Sequence, residues 1–66
     1  MGLGFIPDLI LGDKIVIELK SVERIADVHL KQLTTYLKLT RLKLGLLINF
    51  NVSLIKDGIY RRVNQM

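Results

Sequence analysis

Apolar positions fall into three dense runs, and the spacing inside each run differs. Phe5, Ile6 and residues 9–11 form the first, and Ile15, Val16, Ile17 and Leu19 the second, with Gly12-Asp13 between them. Aliphatic runs flanking a Gly-Asp pair predict a β-hairpin, with strands over residues 5–11 and 14–20. Pro7 cannot donate to a ladder, so it belongs at the start of the first strand or on an edge. From residue 27 the period lengthens. Leu30, Leu33 and Leu37 recur at helical spacing, with Lys31, Thr34, Thr35, Lys38 and Arg41 on the wetter side. Asp27 is placed to cap this helix, which should run to about residue 41. Residues 44–50 are apolar without alternation, the pattern of a central strand in a covered sheet. Strand, helix and strand then imply a right-handed parallel crossover. Lys56-Asp57-Gly58 marks a turn, and residues 59–64 alternate as a polar-faced last strand. The glycine-rich residues 1–4 are expected to be loose. Residues 1–66 are read as one α/β domain: a hairpin, a helix, then one or two further strands in a mixed sheet.

Charges inside that hairpin change the picture. Asp8, Glu18 and Lys20 interrupt strands that are otherwise apolar, and Glu18 and Lys20 share a face. A two-residue loop at Gly12-Asp13 would pair Asp8 with Ile17 and turn the two acids to opposite faces. A three-residue loop or a bulge brings them together. Two adjacent carboxylates offer hard oxygens to Mg²⁺ or Mn²⁺, and a lysine beside them can stabilise charge developing on a phosphate. Read as structure alone, Asp8 ends a turn, Glu18 caps a strand and Lys20 reaches solvent. On the helix, His29, Gln32 and Tyr36 form a polar row at i, i+3 and i+7 beside the leucine stripe.

Composition narrows the classes. A chain of 66 residues buries little surface, and with no cysteine it has no disulfide to compensate. A zinc site would have only His29 and carboxylates to draw on. Half of the residues are nevertheless hydrophobic, with a mean hydropathy of +0.37, which points to a homo-oligomer, most simply a dimer. No run approaches the length of a membrane span, and the N-terminus lacks the basic region of a signal peptide. A cytoplasmic protein without membrane contact is expected. The net charge of +4 allows a polyanionic partner such as DNA without requiring one.

Pro7-Asp8, Glu18-Leu19-Lys20 and the segment Gln32-Leu33-Thr34-Thr35-Tyr36 together resemble the PD-(D/E)XK nuclease superfamily, the Gln-x-x-x-Tyr pair its RecB-like branch. Glu18-Leu19-Lys20-Ser21-Val22-Glu23, His29-Leu30-Lys31-Gln32 with Tyr36-Leu37-Lys38, and residues 44–50 are similar to the C-terminal half of the GxxExxY family. This resemblance implies a restriction-endonuclease-like core around a four-stranded mixed sheet. It implies a catalytic set of Asp8, Glu18 and Lys20, with Mg²⁺ or Mn²⁺ held by Asp8, Glu18 and the Leu19 carbonyl. Gln32 and Tyr36 would contact substrate or order the site, and His29 would be a supporting residue. The Gly-x-x-Glu-x-x-Tyr helix that names the family has no counterpart here, and Ile6 stands where an arginine is expected, so the core reads as truncated. The function expected is metal-dependent hydrolysis of phosphodiester bonds in DNA, weakened or lost through truncation. The alternatives are a non-catalytic nucleic-acid-binding module, with Lys31, Lys38, Arg41, Lys43, Arg61 and Arg62 on phosphates, and a structural homo-oligomer.

Overall fold

The computed structural model describes residues 6–64, so the glycine-rich start and the first residue expected of strand one lie outside the described residues. Four strands form one sheet: β1 (Leu9–Leu11), β2 (Ile15–Lys20), β3 (Leu44–Asn49) and β4 (Ile59–Val63). A single α-helix, α1 (Asp27–Thr40), joins β2 to β3, and a 3-10 turn (Ile55–Gly58) precedes β4. The spatial order is β1-β2-β3-β4, with β2 and β3 parallel and both outer pairs antiparallel. This is the small mixed α/β sheet expected from the pattern of the chain.

The hairpin turn holds three residues. Gly12 and Asp13 both adopt left-handed φ, +57° and 54°, and the Leu11 carbonyl accepts the Lys14 N–H at 3.0 Å. Glycine meets that conformation without strain, and aspartate is among the few side-chain-bearing residues that tolerate it. Lys14 stays outside the ladder, so Leu11 pairs with Ile15 and Leu9 with Ile17.

Alternation then sorts each strand. Val16 and Glu18 of β2, and Gly45, Leu47 and Asn49 of β3, are buried beneath α1. The core consists of Val16, Leu47 and three helix residues, Leu33, Tyr36 and Leu37, with Ile25, Leu30, Leu42 and Tyr60 around it. Leu30 is thus only half-buried, while Tyr36 joins the stripe expected from the leucines alone. Gly45 lets the helix come close, since a Cβ there would stand 2.8 Å from Leu33 Cδ1. The helix differs from expectation at its start. Its N-cap is Ala26, which has no side-chain acceptor, and Asp27 is the first helical residue, where its charge suits the helix dipole. At the other end Arg41 closes the helix in left-handed geometry (φ 62°). Asn64 Nδ2 donates to the Leu37 and Leu42 carbonyls at 2.9 and 3.0 Å, which ties the helix end to the edge of the sheet.

Among the described residues, only one face of the sheet is covered. β3 is central, as its apolar run suggested, yet Leu44, Leu46 and Ile48 on its far side are only half-buried. In β4 the alternation is inverted relative to a polar outer face. Arg62 lies on the helix side, and Ile59 and Val63 are exposed opposite it.

Gly58 is buried against the end of β3, and a Cβ there would overlap the Asn49 carbonyl oxygen. Because the obstacle is backbone, it cannot swing aside. Gly58→Ala should therefore lower the unfolding free energy in urea by about 1–3 kcal/mol. Unchanged stability would show that the 3-10 turn can shift freely.

Candidate functional site

Register decides where the three charged residues sit. The ladder stops at Leu9 opposite Ile17, and the Asp8 N–H turns to that same Ile17 carbonyl instead of continuing the register. This break in the strand puts Asp8 where its carboxylate hydrogen-bonds with the Glu18 carboxyl. Carbonyl directions alternate along β2. The Lys14 and Lys20 carbonyls accept from Leu44 and Phe50 on the β3 side, whereas the Ile17 carbonyl accepts the Asp8 N–H at 3.1 Å on the β1 side. Leu19 is the next residue on that side, and its ladder partner would be Pro7, which has no N–H to give. Pro7 thus ends the ladder. The Leu19 N–H donates instead to Asp8 Oδ2 at 2.8 Å, while the Leu19 carbonyl is left on the same side of β2 without an N–H from Pro7.

The electrostatics follow from this crowding. Glu18 is 7% exposed. Burial, then its hydrogen bond to Asp8 and the Asp8 charge, push its carboxyl from the ordinary 4.5 up to about 7. Asp8 is held below the usual carboxylate value by the bond from Glu18 and then by the Leu19 N–H. The pair is best described as a protonated Glu18 donating to an ionised Asp8. Lys20 follows Glu18 on the same face, and its charge draws both carboxyl pKa values down by a smaller amount.

The helix contributes less directly. Tyr36 packs in the core with Val16. Gln32 lies about one helical turn before Tyr36 and is half-buried. His29 has a structural task. Its Nδ1 accepts the Ala26 N–H at 3.0 Å, while the Ala26 carbonyl accepts the His29 N–H. The imidazole thus supplies the reciprocal half of a capping box, taking the N-cap residue's own N–H, while no side chain caps the first turn from position 26.

Sequence reasoning passed over Asn49. It is 3% exposed and pairs with Lys20 across β2 and β3. Its Oδ1 accepts from Val22 N–H at 3.0 Å and its Nδ2 donates to the Val22 carbonyl at 2.9 Å. These bonds anchor the segment that leaves the Glu18–Lys20 strand. An asparagine ending an otherwise apolar buried run was the available signal.

Among the described residues, no three His, Cys, Asp or Glu side chains gather into a group that could hold a metal. The donor set is two carboxylates and a backbone carbonyl. These are hard oxygens of the kind Mg²⁺ and Mn²⁺ accept, and such ions commonly take only one or two carboxylates, with water and phosphate completing the shell. The residues present thus fit such an ion in type. On the opposite flank of α1, Lys31, Lys38 and Arg62 line a groove of about 430 Å³ with Asp27, Leu30, Thr34 and Thr35. No described helix is long and apolar enough to cross a membrane.

The chain belongs to the PD-(D/E)XK nuclease superfamily, whose family model matches residues 1–63. No curated protein and no solved structure matches it. Membership supports a nuclease-like function in general terms.

The acid pair makes stability depend on pH. The folded chain holds the Glu18 proton up to about pH 7 and the unfolded chain releases it near 4.5, so stability is highest below 4.5 and falls as pH rises through 7. Asp8 acts in the opposite sense, and only in the acid range. Urea unfolding without divalent ions should show the protein less stable at pH 8 than at pH 5 by about 1–3 kcal/mol. Glu18→Gln should remove most of that difference. An equally steep profile in the variant would assign the dependence to another group.

Proposed function

We propose that the protein is a divalent-metal-dependent nuclease acting on DNA. The observation carrying this reading is the hydrogen-bonded Asp8–Glu18 carboxyl pair, with Lys20 two residues beyond Glu18 on the same face of β2. Asp8, Glu18 and the Leu19 carbonyl would hold Mg²⁺ or Mn²⁺. The ion would supply positive charge to a phosphodiester and favour ionisation of water beside it. Glu18 must give up its proton as the ion binds, so affinity should rise with pH toward 7. Asp8 is kept ionised and aimed by the Leu19 N–H. Lys20 would stabilise the charge that develops on the phosphate oxygens. Gln32, half-buried one turn before Tyr36, would contact substrate, and Tyr36 would hold that helix face in position. The Gln32–Tyr36 spacing supports placement in the RecB-like and GxxExxY branch of the superfamily.

A second reading is a phosphate-binding module without catalysis. It is favoured by the groove with three cations and by the lack of a third acid near Asp8 and Glu18 among the described residues.

Two measurements separate the readings. Mn²⁺ should raise the melting temperature of the wild type and leave Glu18→Ala unmoved; equal shifts in both would rule out binding at this pair. Plasmid or single-stranded DNA should be cut with Mg²⁺ or Mn²⁺, and Lys20→Ala should slow cutting by about 10²–10³-fold. Salt-sensitive DNA binding with no metal-dependent cutting would favour the second reading.

A further inference from the structure

The sheet face opposite α1 is an apolar surface that the described chain does not cover. Alternation directs eleven strand positions to it, and ten of these are Leu, Ile or Val. Its middle row runs Leu9, Ile17, Leu46 and Arg61 across the four strands. The margins are open, with Leu9 49% and Val63 56% exposed. Monomeric proteins rarely leave a contiguous apolar sheet face of this extent in water. We infer that this face is the interface with a second copy of the same chain.

Four features favour that occupant. The face is a broad four-stranded sheet surface, and such surfaces pack well against another sheet at about 10 Å, with side chains interdigitating. A second copy supplies the same shape and the same chemistry. The single charge on the face, Arg61, lies on the edge strand β4. Rotation about an axis near Ile17 and Leu46 therefore leaves both arginines at the rim, where they stay hydrated. Finally, half of the 66 residues are hydrophobic, while α1 and the sheet enclose only five buried hydrophobic residues among those described. Closing the second face buries a second apolar layer beside that small core.

The dimer has a definite consequence for the acid pair. Glu18 and Lys20 lie on the helix side of the sheet and Asp8 bonds to Glu18 from the β1 side, so association leaves both sites open and facing away from each other. Two sheets then stand between them, and they act as independent centres. The inference does not depend on the nuclease reading, because an inactive chain would still dimerise through this face. Eleven side chains are fewer than the roughly 20–30 per side of a standard interface, so micromolar dissociation is expected.

The lack of native cysteine makes a clean test possible. Sedimentation of the wild type should show a monomer–dimer equilibrium across about 1–200 µM. Its melting temperature should rise with concentration over that range. Under mild oxidation Leu46→Cys, near the axis, should form a disulfide-linked dimer, while Lys31→Cys on the helix should not. Ile17→Lys should shift the protein to monomer, with far-UV circular dichroism reporting whether it folds. A wild type that stays monomeric with a concentration-independent melting point would overturn the proposal and leave the face for a different partner. Assemblies larger than a dimer, or equal cross-linking at both cysteines, would also overturn it. The wild-type measurements decide the matter even where a variant does not fold.

Discussion

Everything at the candidate site depends on the register of a three-residue strand against its neighbour. A hairpin loop shorter by one residue would send Asp8 to the apolar face and leave Glu18 buried alone beneath the helix. The left-handed pair Gly12 and Asp13, with Lys14 held out of the ladder, sets Leu9 opposite Ile17, and the strand then breaks at Asp8, whose carboxylate reaches Glu18. Pro7 then ends the ladder, and the Asp8 carboxylate takes the Leu19 N–H that a backbone carbonyl would otherwise accept. Turn chemistry, strand termination and carboxylate placement are therefore one constraint. It holds Glu18 buried, and beside a second acid, at a cost visible in its raised carboxyl pKa, to which burial contributes most. A cation is the natural means of relieving such crowding.

The rest of the molecule supports that arrangement from behind. Val16 and Leu47, buried on either side of Glu18 along and across the strands, are covered by Leu33, Tyr36 and Leu37. Gly45 allows the helix to approach closely enough to do so. Asn49 secures the start of the crossover, and Asn64 secures its end. The core is small and one-sided. The same sheet that buries Glu18 on one face presents an almost wholly apolar surface on the other.

Much of this was legible in the chain. The hairpin, the helix and the apolar third strand follow from periods of two, of 3.6 and of none. The separation of Asp8 from Glu18 was enough to show that a one-residue offset decides whether they meet. Which loop forms was not legible, because it rests on the backbone conformation of Asp13, which tolerates more than one turn. Helix capping was misassigned for a similar reason: aspartate is the commoner cap, and only the folded geometry brings the His29 ring back to Ala26. The burial of Tyr36 was hidden by a leucine pattern that already accounted for one face. Asn49 reads as polar wherever it stands, and its value as a buried anchor depends on a loop 27 residues earlier in the chain.

The proposed site requires Asp8 and Glu18 to bind one ion together, with Glu18 holding a proton in the metal-free protein. Calorimetric titration of Mn²⁺ at pH 6, repeated in buffers of different ionisation enthalpy, counts the protons released as the ion binds. About one proton per ion is expected at that pH, falling toward zero above pH 8 and absent in Glu18→Gln. Binding with no proton release at pH 6, or release unchanged in the variant, would contradict it.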